Sequence, residues 1–228
     1  VLAISVGFYF REHYFILLLP VLSLLIAVAV SRSLQLLQGD QSIELFLALG
    51  VVVVAVVAAG AVIFGNGAVW YTSSPKTAGE EVYRTSMFGD TRDAAAIVAA
   101  DTKPGTRIAV LGSEPEIFFY ARRRSAFGHI YMYPLMETHP YAAKLQDDVI
   151  AQIERVQPEY VVYVNHPYSW LWQPESKPQL LDWWPRYWER HYSLIQTITT
   201  REGGSKSSSS SASDYYLLIL KRKAGAAD

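Results

Sequence analysis

Residues 45–64 read LFLALGVVVVAVVAAGAVIF, twenty positions that are all apolar or glycine, inside an uncharged stretch running from Leu45 to Pro75. As an α-helix, twenty residues rise about 30 Å, the hydrocarbon thickness of a bilayer. A helix in the core of a water-soluble domain needs only one apolar stripe. Apolarity on every side over this length therefore predicts a membrane-spanning helix over about 45–66.

A second uncharged segment precedes it, Tyr14 to Ser31, in which Phe15 to Leu19 lead into Pro20 and only Ser23 is polar between Val21 and Val30. This is near the lower length limit for a span, expected over about 14–31 with a kink at Pro20. The polar connection from Arg32 to Ser42 makes the pair an α-helical transmembrane hairpin. Val1 to Phe10 is apolar but too short to cross alone, and the chain starts inside a hydrophobic pattern with Val1. The expectation is the end of a truncated helix, hence the C-terminal fragment of a longer polytopic protein. Arg11-Glu12-His13 does not have the character of a signal peptide's basic n-region.

Charge divides the chain into two parts. Residues 1–75 carry only Arg11, Arg32, Glu12, Asp40 and Glu44, while the remaining 153 hold eighteen basic and eighteen acidic residues. That balance argues against a nucleic-acid partner, which favours a basic face. The absence of cysteine removes disulfides, thiolate zinc sites and cysteine nucleophiles.

Trp70 and Tyr71 follow the second span at the position where amphipathic rings sit among headgroups. Residues 76–88 read as a linker, because Ser73-Ser74-Pro75 and Gly79 discourage regular structure. From 89 to 228 the pattern is that of a soluble α/β domain, layered, with a mainly parallel sheet and a C-terminal antiparallel hairpin. A helix over Asp93–Ala100 stops before Lys103-Pro104-Gly105, and Arg107–Leu111 is a buried strand. Ser113 and Glu116 have the spacing of a capping box for a helix running to Arg124, with a further strand at 128–133. Leu145, Val149, Ile153 and Val156 mark an amphipathic helix before a strand at Tyr160–Val164. A helix between Pro178 and Arg190 and strands at 192–199 and 215–222 complete the pattern, with a flexible Ser-rich loop at 203–213.

Few residues carry recognisable chemistry. Gly112 is the single glycine where a dinucleotide fingerprint needs three, and Glu114 and Glu116 would repel phosphate from the helix that follows. Arg122-Arg123-Arg124 has guanidinium chemistry suited to a phosphate, or to the solvated end of a helix. Trp170, Trp172, Trp183, Trp184 and Trp188 offer sugar stacking, a membrane or domain interface, or plain packing. The five histidines show no metal-ligand spacing, and no serine sits in a GxSxG elbow. Arg11, His13 and Tyr14 stand at a predicted membrane boundary, where they suit a lipid phosphate or simple anchoring.

His13-Tyr14-Phe15 with Leu19-Pro20 and the aliphatic helix beyond resembles the late transmembrane region of GT-C type glycosyltransferases of the dolichyl-phosphate-mannose protein mannosyltransferase group. Lys103-Pro104-Gly105, Val110 to Ile117, Tyr120-Ala121-Arg122-Arg123 and Tyr131 to Pro134 resemble the soluble C-terminal domain of bacterial members. The resemblance implies sugar transfer from a polyprenyl-phosphate carrier to an acceptor at the outer membrane face. It implies a multi-pass inner-membrane protein with its C-terminal domain on the periplasmic or extracellular side, and as partners the bilayer, the lipid-linked donor and an acceptor. The catalytic carboxylate of such enzymes lies in a first outer loop upstream, so no catalytic residue and no cofactor is carried onto this stretch. A divalent metal is an option for the full-length enzyme only. A weak lipid-phosphate role carries over to Arg11, His13 and Tyr14. Charge gives little independent guide to topology, since Arg32 faces Asp40 and Glu44 across the short connection. The competing expectation is a non-enzymatic membrane-anchored binding or assembly module. A transporter ranks third, since neither span has an ionisable residue in its interior.

Overall fold

The computed structural model describes residues 12–36, 42–65, 67–201 and 215–225. The chain divides into two compact units, Val1–Thr72 and Ser73–Asp228.

In the first unit a 3-10 segment, Glu12–Leu18, runs into helix α1, Leu19–Leu36, and helix α2 covers Ser42–Gly65. Both are long and apolar enough to cross a membrane. Between Phe15 and Arg32 no residue is buried, and most of its leucines, isoleucines and valines face outward. Pro20 falls in the first turn of α1, where a missing N–H costs nothing, and so marks the change from 3-10 to α geometry rather than an interior kink. Ser33 and Ala48 are buried, and they are small enough for helices to approach closely. After α2, a π-helical turn at Ala68–Thr72 carries Trp70 and Tyr71, which are 70% and 75% exposed.

The second unit opens with a helix where a linker is expected. Helix α3, Pro75–Tyr83, forms because Ser74 accepts a hydrogen bond from the Thr77 N–H and Pro75 occupies the first turn. The residues that discourage structure within an element here build its start. Arg84 ends it in the left-handed conformation at φ 55°. Helix α4, Met87–Ala100, presents Ala94, Ala95 and Val98 to the interior.

Five strands form one sheet. In spatial order they are β2 (Arg124–Ser125), β1 (Arg107–Leu111), β3 (Tyr160–Asn165), β5 (Tyr216–Arg222) and β4 (Tyr192–Thr199). β2, β1 and β3 are parallel, whereas β5 runs antiparallel to both β3 and β4. The sheet is therefore mixed rather than mainly parallel, because the terminal hairpin inserts β5 beside β3 and leaves β4 at the margin. β4 is irregular between Leu194 and Gln196, and Leu194 and Ile195 are about half exposed. Of residues 128–133, expected as a strand, 128–132 are irregular and Tyr133 begins a short helix. The strand instead forms just before them, where Arg124 and Ser125 pair with Arg107 and Ile108.

Helices cover both faces of the central strands. Ala109, Leu111, Val161 and Leu220 point to one side, against α6 (Tyr133–Met136), α7 (Ala142–Val156), the short α8 (Pro167–Trp170) and α9 (Gln179–His191). Ile108, Val110, Val162, Val164, Leu217 and Ile219 point to the other, against α4 and α5 (Glu116–Ala121). Period-two alternation thus sends apolar side chains into both clusters, so these strands are apolar almost throughout. Tyr160 is the polar exception. Its hydroxyl donates to Asp101 at 2.5 Å, and the same carboxylate takes Lys221 at 2.5 Å.

Leu220 is fully buried in the larger cluster. Leu220→Ala is expected to destabilise the α/β unit by about 2–4 kcal/mol, read from urea unfolding followed by circular dichroism in detergent micelles.

Candidate functional site

The carboxyl ends of β1 and β3 lie side by side, with β2 on the far side of β1. Open α/β sheets bind ligands outside such strand ends. Here that position holds a closed polar clasp. Glu114, from the turn after β1, is 7% exposed, and one carboxyl oxygen accepts a hydrogen bond from Ser169 of α8. Its other oxygen, Oε2, is buried without a hydrogen-bonded partner among the described residues and lies against Gly112, where any Cβ would collide with the carboxyl and with Val164. Burial pushes the Glu114 carboxyl up to about 7; Ser169 opposes the rise, Glu116 adds to it, and the Ser113 and Glu114 N–H groups oppose it weakly. Ser113 does not cap α5. Its Oγ accepts from the Met132 N–H at 2.9 Å, and α5 begins without a side-chain cap. Nearby, α6 is joined to α8 by the Tyr133 hydroxyl, which donates to the Tyr168 carbonyl at 2.8 Å.

An open groove of about 620 Å³ is lined by Glu154 of α7 and five residues of α9. Trp183, Arg186, Tyr187, Arg190 and His191 fall on one helical face at spacings of three, one, three and one. Trp183 and Tyr187 stack at 4.4 Å and 23°, and the His191 ring lies 4.5 Å from Tyr187. Glu154 accepts the Trp183 indole N–H at 2.9 Å, which fixes the outer ring of the stack. Arg186 and Arg190 are exposed, and among the described residues neither has a carboxylate partner. His191 is the most buried lining residue, 7% exposed, and its Nδ1 has no hydrogen-bonded partner among the described residues. An aromatic wall, two unpaired guanidiniums and a buried imidazole together make a surface suited to a polar, anionic ligand.

The residues singled out in the sequence scatter across the unit. Arg122 ends α5 in the left-handed conformation, exposed, and Arg124 is exposed in β2. Arg123 turns the other way. Its guanidinium donates to Thr102 Oγ1 at 2.7 Å, to the Ala99 and Thr102 carbonyls at 3.1 and 2.5 Å, and to the Ala121 carbonyl at 2.9 Å. It thus closes the C-terminal end of α4, where carbonyls lack helical partners. The three arginines form no common phosphate cradle.

The tryptophans also divide. Trp170 is core and donates to the Val164 carbonyl at 2.8 Å, while Trp184 is buried and stacks on Tyr163 at 5.9 Å. Trp172 is 46% exposed, Trp188 packs at the edge of the core, and Trp183 alone lines the groove. Arg11 lies outside the described residues, and for His13 and Tyr14 the description stops at the backbone. The 203–213 loop also lies outside them. No group of metal-ligating side chains occurs among the described residues.

Sequence reasoning missed Arg186, Arg190 and His191 as a group. Laying residues 179–191 on a helical wheel reveals them, since the arginines alternate with Trp183 and Tyr187 on one stripe. Glu114 gave no comparable signal, because its burial depends on α8, more than fifty residues away. No protein-family model, curated protein or solved structure matches this chain.

Two outcomes follow from these environments. A carboxyl whose folded-state pKa is raised lets the unfolded chain lose its proton first, so stability falls as pH rises from the ordinary 4.5 to about 7. Glu114→Gln should remove about 3 kcal/mol of that fall and leave the domain more stable than wild type at pH 8, measured as melting temperature against pH. Asp90 and Glu116 are raised as well, so the difference between variant and wild type is the quantity that isolates Glu114. Arg123→Ala should destabilise the domain by about 1–3 kcal/mol in the same melts, because carbonyls at the end of α4 lose their donor.

Proposed function

We propose that this chain is the C-terminal part of an integral-membrane glycosyltransferase that moves a sugar from a polyprenyl-phosphate carrier to an acceptor at the outer membrane face. The α/β unit serves substrate recognition through the α7/α9 groove, and the chemistry belongs to an upstream loop. The observation that carries the reading is the joining, on one chain, of two bilayer-length apolar helices to a domain bearing an aromatic and cationic groove. The resemblance of the helix-entry motif and of the strand-turn-helix series to that enzyme class supports it. In this reading α1 and α2 form a transmembrane hairpin, and Trp70 and Tyr71 sit at the headgroup level on the outer side.

Reconstituting the full-length protein in proteoliposomes with a polyprenyl-phosphate sugar tests the activity, and transfer to a soluble acceptor is the expected result. The double substitution of Arg186 and Arg190 by Ala should raise KM for the recognised substrate about tenfold and leave kcat within about twofold, since the groove contributes binding rather than bond making. A full-length protein that inserts normally and turns over no such donor would instead be a membrane-anchored assembly module.

Orientation is testable without turnover, because the chain has no cysteine of its own. With Asp147→Cys and Gln38→Cys in sealed vesicles, an impermeant maleimide added outside should label the first and spare the second. The opposite pattern inverts the topology.

A further inference from the structure

We propose that the α7/α9 groove binds a phosphorylated sugar. This deepens the reading of the groove as the recognition surface of the domain, and it rests on that reading.

Three features converge on this class of ligand. Arg186 and Arg190 stand one helical turn apart with no carboxylate partner among the described residues, so one phosphate can accept from both. Beside them the Trp183–Tyr187 stack offers a rigid aromatic wall, with ring planes held by their mutual contact and by the Glu154 bond to the indole. Apolar faces of a pyranose pack on such a wall. His191, the most buried of the lining residues, sets its ring 4.5 Å from Tyr187 and so extends the wall by a third ring.

The charge of the site argues against broader ligand classes. Glu154 offsets one of the two arginines, leaving about one net positive charge, too little for a polyanion but enough for a single phosphoryl group. The Glu154 carboxylate also keeps acceptor capacity beyond its bond to Trp183, which suits a ligand rich in hydroxyl donors. A membrane surface fits less well. A groove admits a single ligand between its walls, where a flat headgroup layer touches only the rim.

Calorimetric titration of the full-length protein, in nanodiscs of zwitterionic lipid, tests this with glucose 1-phosphate, glucose and inorganic phosphate. Glucose 1-phosphate should bind at least about tenfold more tightly than either part alone, since it engages both the guanidiniums and the aromatic wall. R186Q/R190Q, which alters only exposed side chains, should weaken glucose 1-phosphate about tenfold or more and leave the near-ultraviolet circular dichroism of the domain unchanged. Trp183→Leu should bring glucose 1-phosphate down to the affinity of inorganic phosphate. Wild-type affinity in R186Q/R190Q overturns the proposal. So does inorganic phosphate binding as tightly as the phosphosugar, which marks an adventitious ion only, and so does binding confined to vesicles of anionic lipid.

The two sources of the ligand separate in a second arm. Nanodiscs carrying a polyprenyl-phosphate sugar will compete with glucose 1-phosphate if the groove takes the lipid-linked form, and will not if it takes a soluble phosphosugar; either result leaves the site standing. Binding is read here without turnover, so a protein that binds but transfers no sugar contradicts the enzymatic assignment and not this one.

Discussion

Strand β3 is buried on both faces, and much of the α/β unit follows from that constraint. With β1 and β5 on its edges and helices above and below, it has no solvent side, so each side chain must be apolar or hydrogen-bonded. Val161, Val162 and Val164 meet the first condition. Tyr160 meets the second by reaching Asp101 at the end of the strand. Even the backbone is recruited, since the Val164 carbonyl accepts the Trp170 indole N–H and so seats α8 against the end of the sheet. Seating α8 brings Ser169 to Glu114. The clasp between the ends of β1 and β3 is thus a consequence of packing rather than a separate design.

Helix α9 shows how one amphipathic element serves two purposes. Leu180 and Trp184 are buried toward the sheet, while Trp183, Arg186, Tyr187, Arg190 and His191 line the groove. Tyr187 touches both sides, stacking on Trp183 and approaching Tyr192 of the core. The aromatic wall of the groove is therefore held by the same contacts that hold the helix to the sheet.

Much of this organisation was legible in the residues. Residues 45–64 announced a bilayer-length helix through composition alone, and the strands at 107–111 and 160–164 were legible because double burial leaves an unbroken apolar run. The helix at 142–156 was equally plain from its stripe. Part of what escaped reading depends on distant partners. Ser113 and Glu116 have capping-box spacing, yet Ser113 is claimed by the Met132 N–H, and no local pattern announces that competition. Pro75 and Gly79 suggested a linker, but Ser74 before the proline turns the same residues into a helix start. The strand expected at 128–133 fails because β1 accepts only a two-residue neighbour at Arg124–Ser125 before the chain turns toward α6. Of the site, the aromatic content was legible and its partition was not: composition cannot tell that Trp170 and Trp184 belong to the core while Trp183 faces outward.

The margins of the sheet bear on how copies of the protein meet. A regular, straight margin displays a row of N–H and C=O groups that any extended chain can join. In β4 the irregularity between Leu194 and Gln196 interrupts that row and increases the local twist, and the opposite margin, β2, is two residues long. A domain tethered to a membrane, as proposed, meets its copies in two dimensions and at high effective concentration. Collisions that find no continuous margin end without strand exchange, so crowding along the bilayer does not turn the domain into a nucleus for fibrous assembly.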